Sequence, residues 1–162
     1  MSDPTPNRTN GDGGPAPQEI RVQILGQYVK DLSFENPGAP SNPAARPQIE
    51  LGVDLQPKQL DAERFEVDLK LRITAKAEDR HLFLLELVYT GLFAIQNAPQ
   101  EFVQQFLFIE APHMLLPFAR RVVADAIRDG GMPQLLIEPI DFARLYEARM
   151  SQAQQQPTQP VA

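Results

Sequence analysis

An α+β architecture, with helices packed on one side of a four-stranded antiparallel sheet, is what this sequence predicts. Two observations carry the prediction: apolar residues alternate with period two through four segments of the first half, and after Pro99 they recur at helical spacing. A third adds detail, because the fourth alternating segment is apolar on both sides and needs a cover on each face. With 162 residues, 43% apolar and 22% charged, the chain suits one ordinary core.

The first segment, Ile20 to Glu35, puts Ile20, Val22, Ile24, Tyr28, Leu32 and Phe34 on one face and Arg21, Gln23, Gln27, Asp31, Ser33 and Glu35 on the other. Lys30 interrupts the apolar side. Gln48 to Gln56 alternates without exception, with Ile49, Leu51, Val53 and Leu55 opposing Gln48, Glu50, Asp54 and Gln56. Phe65 to Glu78 sets Val67, Leu69, Leu71 and Ile73 against Glu66, Asp68, Lys70, Arg72 and Lys76. His81 to Phe93 carries Phe83, Leu85, Leu87, Tyr89 and Phe93 on one side and Leu82, Leu84, Val88 and Leu92 on the other. A neighbouring subunit is the simplest second cover for that row, so oligomerisation is expected. The junction Glu78-Asp79-Arg80 is too short for a parallel crossover and predicts a hairpin.

Phe102, Val103, Phe106 and Leu107 mark a short first helix that Pro112 or the residues before it should end. A longer helix, from Pro112 or Pro117 to Asp129, carries Phe118, Val122, Val123, Ala126 and Ile127 on one side and stops at Gly130-Gly131. A last helix follows Pro139 with Asp141 as its N-cap and stacks Phe142, Leu145, Tyr146 and Met150. Residues 1–18 hold four prolines and three glycines with Met1 as their only bulky apolar residue, which predicts a disordered arm. The stretch 151–162 is Gln-rich and predicts a flexible tail, so the folded domain is expected over 19–150.

Chemistry is sparse. The chain has no cysteine and two histidines, His81 and His113, neither with a carboxylate or second histidine at ligand spacing, so no metal or other cofactor is expected. It lacks Gly-x-Gly-x-x-Gly, Walker-type and Gly-x-Ser-x-Gly motifs, which argues against nucleotide-driven or serine-nucleophile catalysis; the expectation is that it is not an enzyme. A formal charge of −6 opposes nucleic-acid binding and favours basic partners. The first residues lack the apolar core of a secretory signal, and no segment approaches a membrane span, so a cytoplasmic protein without membrane insertion is expected.

Three blocks, Lys30-Asp31-Leu32-Ser33-Phe34-Glu35-Asn36-Pro37-Gly38-Ala39-Pro40, Gly130-Gly131-Met132-Pro133-Gln134-Leu135 and Pro139-Ile140-Asp141-Phe142-Ala143-Arg144-Leu145-Tyr146, stand in an order that resembles the SecB family of bacterial export chaperones. The resemblance runs from about Ile20 to Met150. It implies an ATP-independent chaperone, assembled as a homotetrameric dimer of dimers, that holds unfolded precursor proteins translocation-competent and delivers them to the motor ATPase SecA. It further implies that Asp31, Glu35, Leu84 and Glu86 meet SecA, and that Ile49, Leu51, Val53, Phe142 and Tyr146 line a client groove beneath the proline-rich strap Asn36–Pro47.

The residues alone read more plainly. Asp31 and Glu35 suit an ordinary solvated sheet face, and periodic apolar positions such as the five of the groove suit plain core. Glu86 is different, because a carboxylate among Leu84, Leu85, Leu87 and Val88 requires that point to be wet or paired. Three other functions stay open: a structural adaptor that uses its two-sided strand only to assemble, a small ligand-binding enzyme on the same α+β frame and, within the resemblance, a SecB-like chaperone dedicated to one partner such as an antitoxin.

Overall fold

A computed structural model describes residues 14–37, 46–78 and 80–155. Most of the proline-rich strap (38–45), the first thirteen residues of the expected arm and the last seven of the expected tail lie outside the described residues.

The four alternating segments form β1 (Arg21–Glu35), β2 (Gln48–Gln59), β3 (Arg64–Ala77) and β4 (Arg80–Gln96), all antiparallel in the order β1-β4-β3-β2. The hairpin between β3 and β4 is as tight as the junction demands: Ala77 pairs with Arg80, and Glu78 turns at a φ of 49°. The chain between β1 and β2 joins opposite edges of the sheet, at the end where that hairpin lies, across three strand spacings or about 14 Å. Pro57 lies opposite Val67 on β2, an edge strand, where proline is tolerated. Asp61 holds the β2–β3 turn, its Oδ1 accepting from the backbone N–H groups of Glu63 (3.0 Å) and Arg64 (2.8 Å).

The alternation in β1 departs from the sequence reading. Register shifts between Ile24 and Gly26 and between Val29 and Asp31 insert Leu25 and Lys30 as extra residues, each inverting the phase. Val22, Ile24, Leu32 and Phe34 face the helix side, opposite Ile95, Phe93, Leu87 and Leu85, whereas Tyr28 crosses to the open face opposite Thr90. Lys30 is therefore no exception on an apolar face, because between the bulges its side of the strand is the open one.

The helical half also differs from expectation. The helices α1 (Gln100–Gln105) and α2 (Ala111–Asp129) are joined without a break by a π-helical segment, Phe106–Glu110. Pro112 does not end the helix; it is buried in the first turn of α2, where its missing N–H falls against the widened turn. Pro117 sits inside α2. The buried stripe of α2 includes Leu115, Ala119, Val123 and Ile127, all fully buried, while Phe118 lies at the margin, stacked on Tyr89 with ring centroids 6.4 Å apart. The helix α3 (Phe142–Gln155) begins as expected, with Asp141 Oδ1 accepting from Arg144 N–H at 3.0 Å, and continues five residues into the stretch read as tail.

The core lies between this helical layer and the inner face of β3 and β4, where Val67, Leu69, Leu71, Ile73, Leu85, Leu87 and Phe93 are buried. Gly91 sets the spacing. A Cβ there would stand 2.7 Å from Phe93 and 2.8 Å from Leu115, both fully buried. Gly91→Ala is accordingly expected to cost about 1–3 kcal/mol through overpacking, read from chemical denaturation. An unchanged unfolding midpoint would mean that the helix can retreat from β4 freely.

The second face of the two-sided strand β4 is partly covered within the subunit itself. Its open-face row, Leu84, Val88 and Leu92, is already half-buried within the subunit. Bare apolar surface lies on the helix side of β1, where α2 meets the strand only around Phe34 and Gly130: Val22, Ile24, Val29 and Leu32 are exposed, as are Met114 and Phe118 of α2.

Candidate functional site: two faces of one sheet

The open face of the sheet collects all four residues assigned to partner docking. Asp31 stands opposite Val88, Ser33 opposite Glu86 and Glu35 opposite Leu84, so Asp31, Glu35, Leu84 and Glu86 share one side of two adjacent strands. The second bulge makes this possible, since without its extra residue Asp31 and Glu35 would point to the helices. Glu86 is both wet and paired: its side chain is 47% exposed, and Oε1 lies 3.4 Å from Arg72 Nη1. An ion pair this exposed contributes little stability. Asp31 and Glu86 border a shallow depression of about 420 Å³, floored where Gly52 supplies no side chain and edged by Asp54, Lys70 and Arg72. Among the described residues neither Asp31 nor Glu35 has an ion-pair partner.

On the opposite side, the five residues expected to line a client groove divide. Ile49, Leu51 and Val53 all face the helix side of β2, pairing with Ala75, Ile73 and Leu71. Ile49 is 39% exposed and Leu51 42%, because no helix covers that end of the strand. Val53 and Tyr146 meet in a pocket of about 240 Å³ between β2 and α3, with Leu55, Phe108, Leu145, Asp54 and Arg149. Phe142 is not in the lining. Its ring is fully buried and packs edge-on against His113 at 5.1 Å, so it anchors the start of α3 to α2.

Phe108 and Arg149 were not singled out from sequence. The π segment brings Phe108 against Tyr146, with ring centroids 5.4 Å apart. Arg149 lies over the same ring at 4.9 Å and donates from Nη1 to the Leu55 carbonyl at 3.3 Å, tying α3 to the edge strand. An aromatic falling off the buried stripe of the first helix, and a cation one turn after Tyr146, were the available signals. The pocket's wall combines the apolar groups of Val53, Leu55, Phe108, Leu145 and Tyr146 with the charged Asp54 and Arg149. Among the described residues no cluster of histidine and carboxylates could hold a metal ion, and no helix is long and apolar enough to cross a membrane.

Residues 15–153 match the family model of SecB, described as preprotein translocase subunit SecB. The protein-export protein SecB of Zymomonas mobilis is 48% identical over 152 residues, covering 93% of this chain and 89% of that protein. That of Parvibaculum lavamentivorans is 48% identical over 158 residues and covers 94% of each. Among solved structures, a Mycobacterium tuberculosis SecB-like chaperone in complex with an antitoxin peptide superposes with a TM-score of 0.66 at 17% identity, covering 75% of this chain and 91% of that one. At that identity the likeness concerns the fold.

Proposed function

This chain belongs to the SecB family, and from that premise we propose that it is a protein-export chaperone that binds unfolded precursors and presents them to SecA. The observation that carries the client side is the uncovered apolar row of Ile49 and Leu51 on an edge strand, leading into the pocket at Val53 and Tyr146. An extended, apolar segment can lie along such a row without any chemical step. Holding it needs only an affinity for the unfolded chain that competes with the client's own folding. Burying about 1000 Å² of apolar surface supplies on the order of 25 kcal/mol gross, most of it offset by ordering and association. No ATP hydrolysis and no cofactor enter this scheme. The work is carried out in the cytoplasm, before the client reaches the membrane.

The exposed apolar flank of β1 and α2 supports the assembly half of the proposal, a homotetrameric dimer of dimers. Val22, Ile24, Val29 and Leu32 with Phe118 form a contiguous bare margin next to a free sheet edge, which a second copy would cover. Several grooves on one particle would then raise the effective concentration of each for a single client. The open face, with its unpaired acids, is the SecA-docking surface in this scheme, reached while the groove on the other side is occupied.

Native mass measurement with and without an unfolded precursor tests the whole reading. The expected species are a tetramer and a tetramer carrying one client, with precursor refolding delayed at stoichiometric ratio and unaffected by ATP. A particle that binds no unfolded chain would instead be an adaptor, and binding confined to one partner among many clients would make it a dedicated chaperone.

A further inference from the structure

We propose that Lys30 is a positioning residue for the docking face: clamped across β4 onto Glu66 and Asp68, it locks the second bulge of β1 and keeps Asp31 and Glu35 on the helix-free side. The inference rests on the reading of that face as the SecA-docking surface. It begins from a local instability. A bulge leaves one residue out of the ladder, and a slip of one residue would exchange Asp31 and Glu35 with Leu32 and Phe34 across the sheet. Apolar burial opposes that slip only in part, because Leu32 is itself 42% exposed on the helix side and Phe34 is half-buried.

Lys30 is the extra residue of that bulge, and its side chain reaches two strands away. Nζ donates to Glu66 Oε1 at 2.6 Å and to Asp68 Oδ2 and Oδ1 at 3.1 and 3.3 Å. The acids are well shielded, with side chains 15% and 13% exposed, while the Lys30 side chain itself is 43% exposed, so water screens the pairs from one side only. Beneath the stem, Thr90 is fully buried although it belongs to the open face, and its hydroxyl donates to the same Asp68 at 2.8 Å. Tyr28 closes the other flank, its hydroxyl 3.5 Å from Glu66. Three strands are thus tied together at the residue preceding Asp31.

The hydrogen bonds to Glu66 and then to Asp68 hold the Lys30 ammonium above the usual lysine range. Because its folded value is raised, this contribution is fully present below the ordinary lysine value and is lost only as pH rises through the folded one, so the clamp stays closed at neutral pH. The single ammonium offsets one of the two charges of Glu66 and Asp68, while Asp31 and Glu35 have no ion-pair partner among the described residues.

The test titrates SecA onto the full-length protein at fixed salt and, in parallel, follows the cross-strand contact between Asp31 and Val88 by NMR. Lys30→Met is expected to weaken SecA about tenfold and to lose that contact while a precursor still binds. Lys30→Arg should restore most of the affinity, Glu66→Gln with Asp68→Asn should reproduce the loss, and the triple variant should lose no more than either. Wild-type SecA affinity in Lys30→Met, with Asp31→Lys impaired, would overturn the role of Lys30 and leave the docking face standing. Wild-type affinity in Asp31→Lys itself would overturn the docking face, and with it this proposal. An Asp31–Val88 contact that survives in Lys30→Met would overturn it whatever SecA does.

Discussion

Replacing Ile49 and Leu51 together by aspartate is expected to abolish the delay that the protein imposes on precursor refolding while leaving its own fold intact. Both side chains face the helix side of β2 and are 39% and 42% exposed, so a carboxylate at either position keeps its water in the unliganded state. A client changes that balance. Each apolar side chain covered by a bound segment contributes about 1.5–3 kcal/mol, and the aspartates would in addition have to be desolvated without a partner. The combined loss exceeds roughly a hundredfold in affinity, enough to release a client that the wild type holds. The measurement is refolding of an unfolded precursor at stoichiometric ratio, with the variant's circular dichroism as control. An undiminished delay would move the client contact away from β2. Phe142 cannot serve the same purpose, because it is fully buried and its truncation would act on the core.

Charge reversal of Asp31 and Glu35 to lysine is the complementary experiment, expected to uncouple SecA from a chaperone that still retains clients. The two acids lie on the open face, away from the groove on the helix side, and have no ion-pair partner among the described residues. Their attraction for a basic docking surface is therefore not shared with neighbours. Each reversal turns that attraction into repulsion and should weaken association about tenfold, mostly through the on-rate and more strongly at low salt. Glu86→Lys should do less than either, because Arg72 at 3.4 Å already absorbs part of its charge. Parallel loss of client and SecA binding in the Asp31 and Glu35 variants would mean that the two faces are not separate surfaces.

How much of this was legible in the chain depended on how regular each element is. β2 and β3 pair without interruption from Gln48–Lys76 to Gln59–Phe65, so strict alternation placed Ile49, Leu51 and Val53 on the correct face. In β1 the same rule failed between the bulges, because an extra residue leaves no mark in a hydropathy pattern when its neighbours are also mixed. Tyr28 and Lys30 were misplaced for that reason, although Asp31 and Glu35 were correctly joined on one face with each other. The helix stripe suffered similarly: Phe118 looks like core by size, but α2 rotates so that small Ala119 meets the sheet and the aromatic stays at the edge. Proline at 112 read as a stop, whereas a π turn absorbed it.

The sequence by itself determined the α+β class, the four strands, the hairpin at Glu78 and the capped start of α3, since each depends on residues close together along the chain. The family, and with it the export function, was also legible, in three short blocks that survive any uncertainty about packing. Tertiary structure alone decided the strand order, the register that puts Asp31, Glu35, Leu84 and Glu86 on one side of two adjacent strands, the full burial of Phe142, and the arrival of Phe108 and Arg149 at the pocket. The physical reason is one of range. Alternation, caps and turns are settled by neighbouring residues, whereas the burial or exposure of an apolar side chain depends on which distant element arrives to cover it.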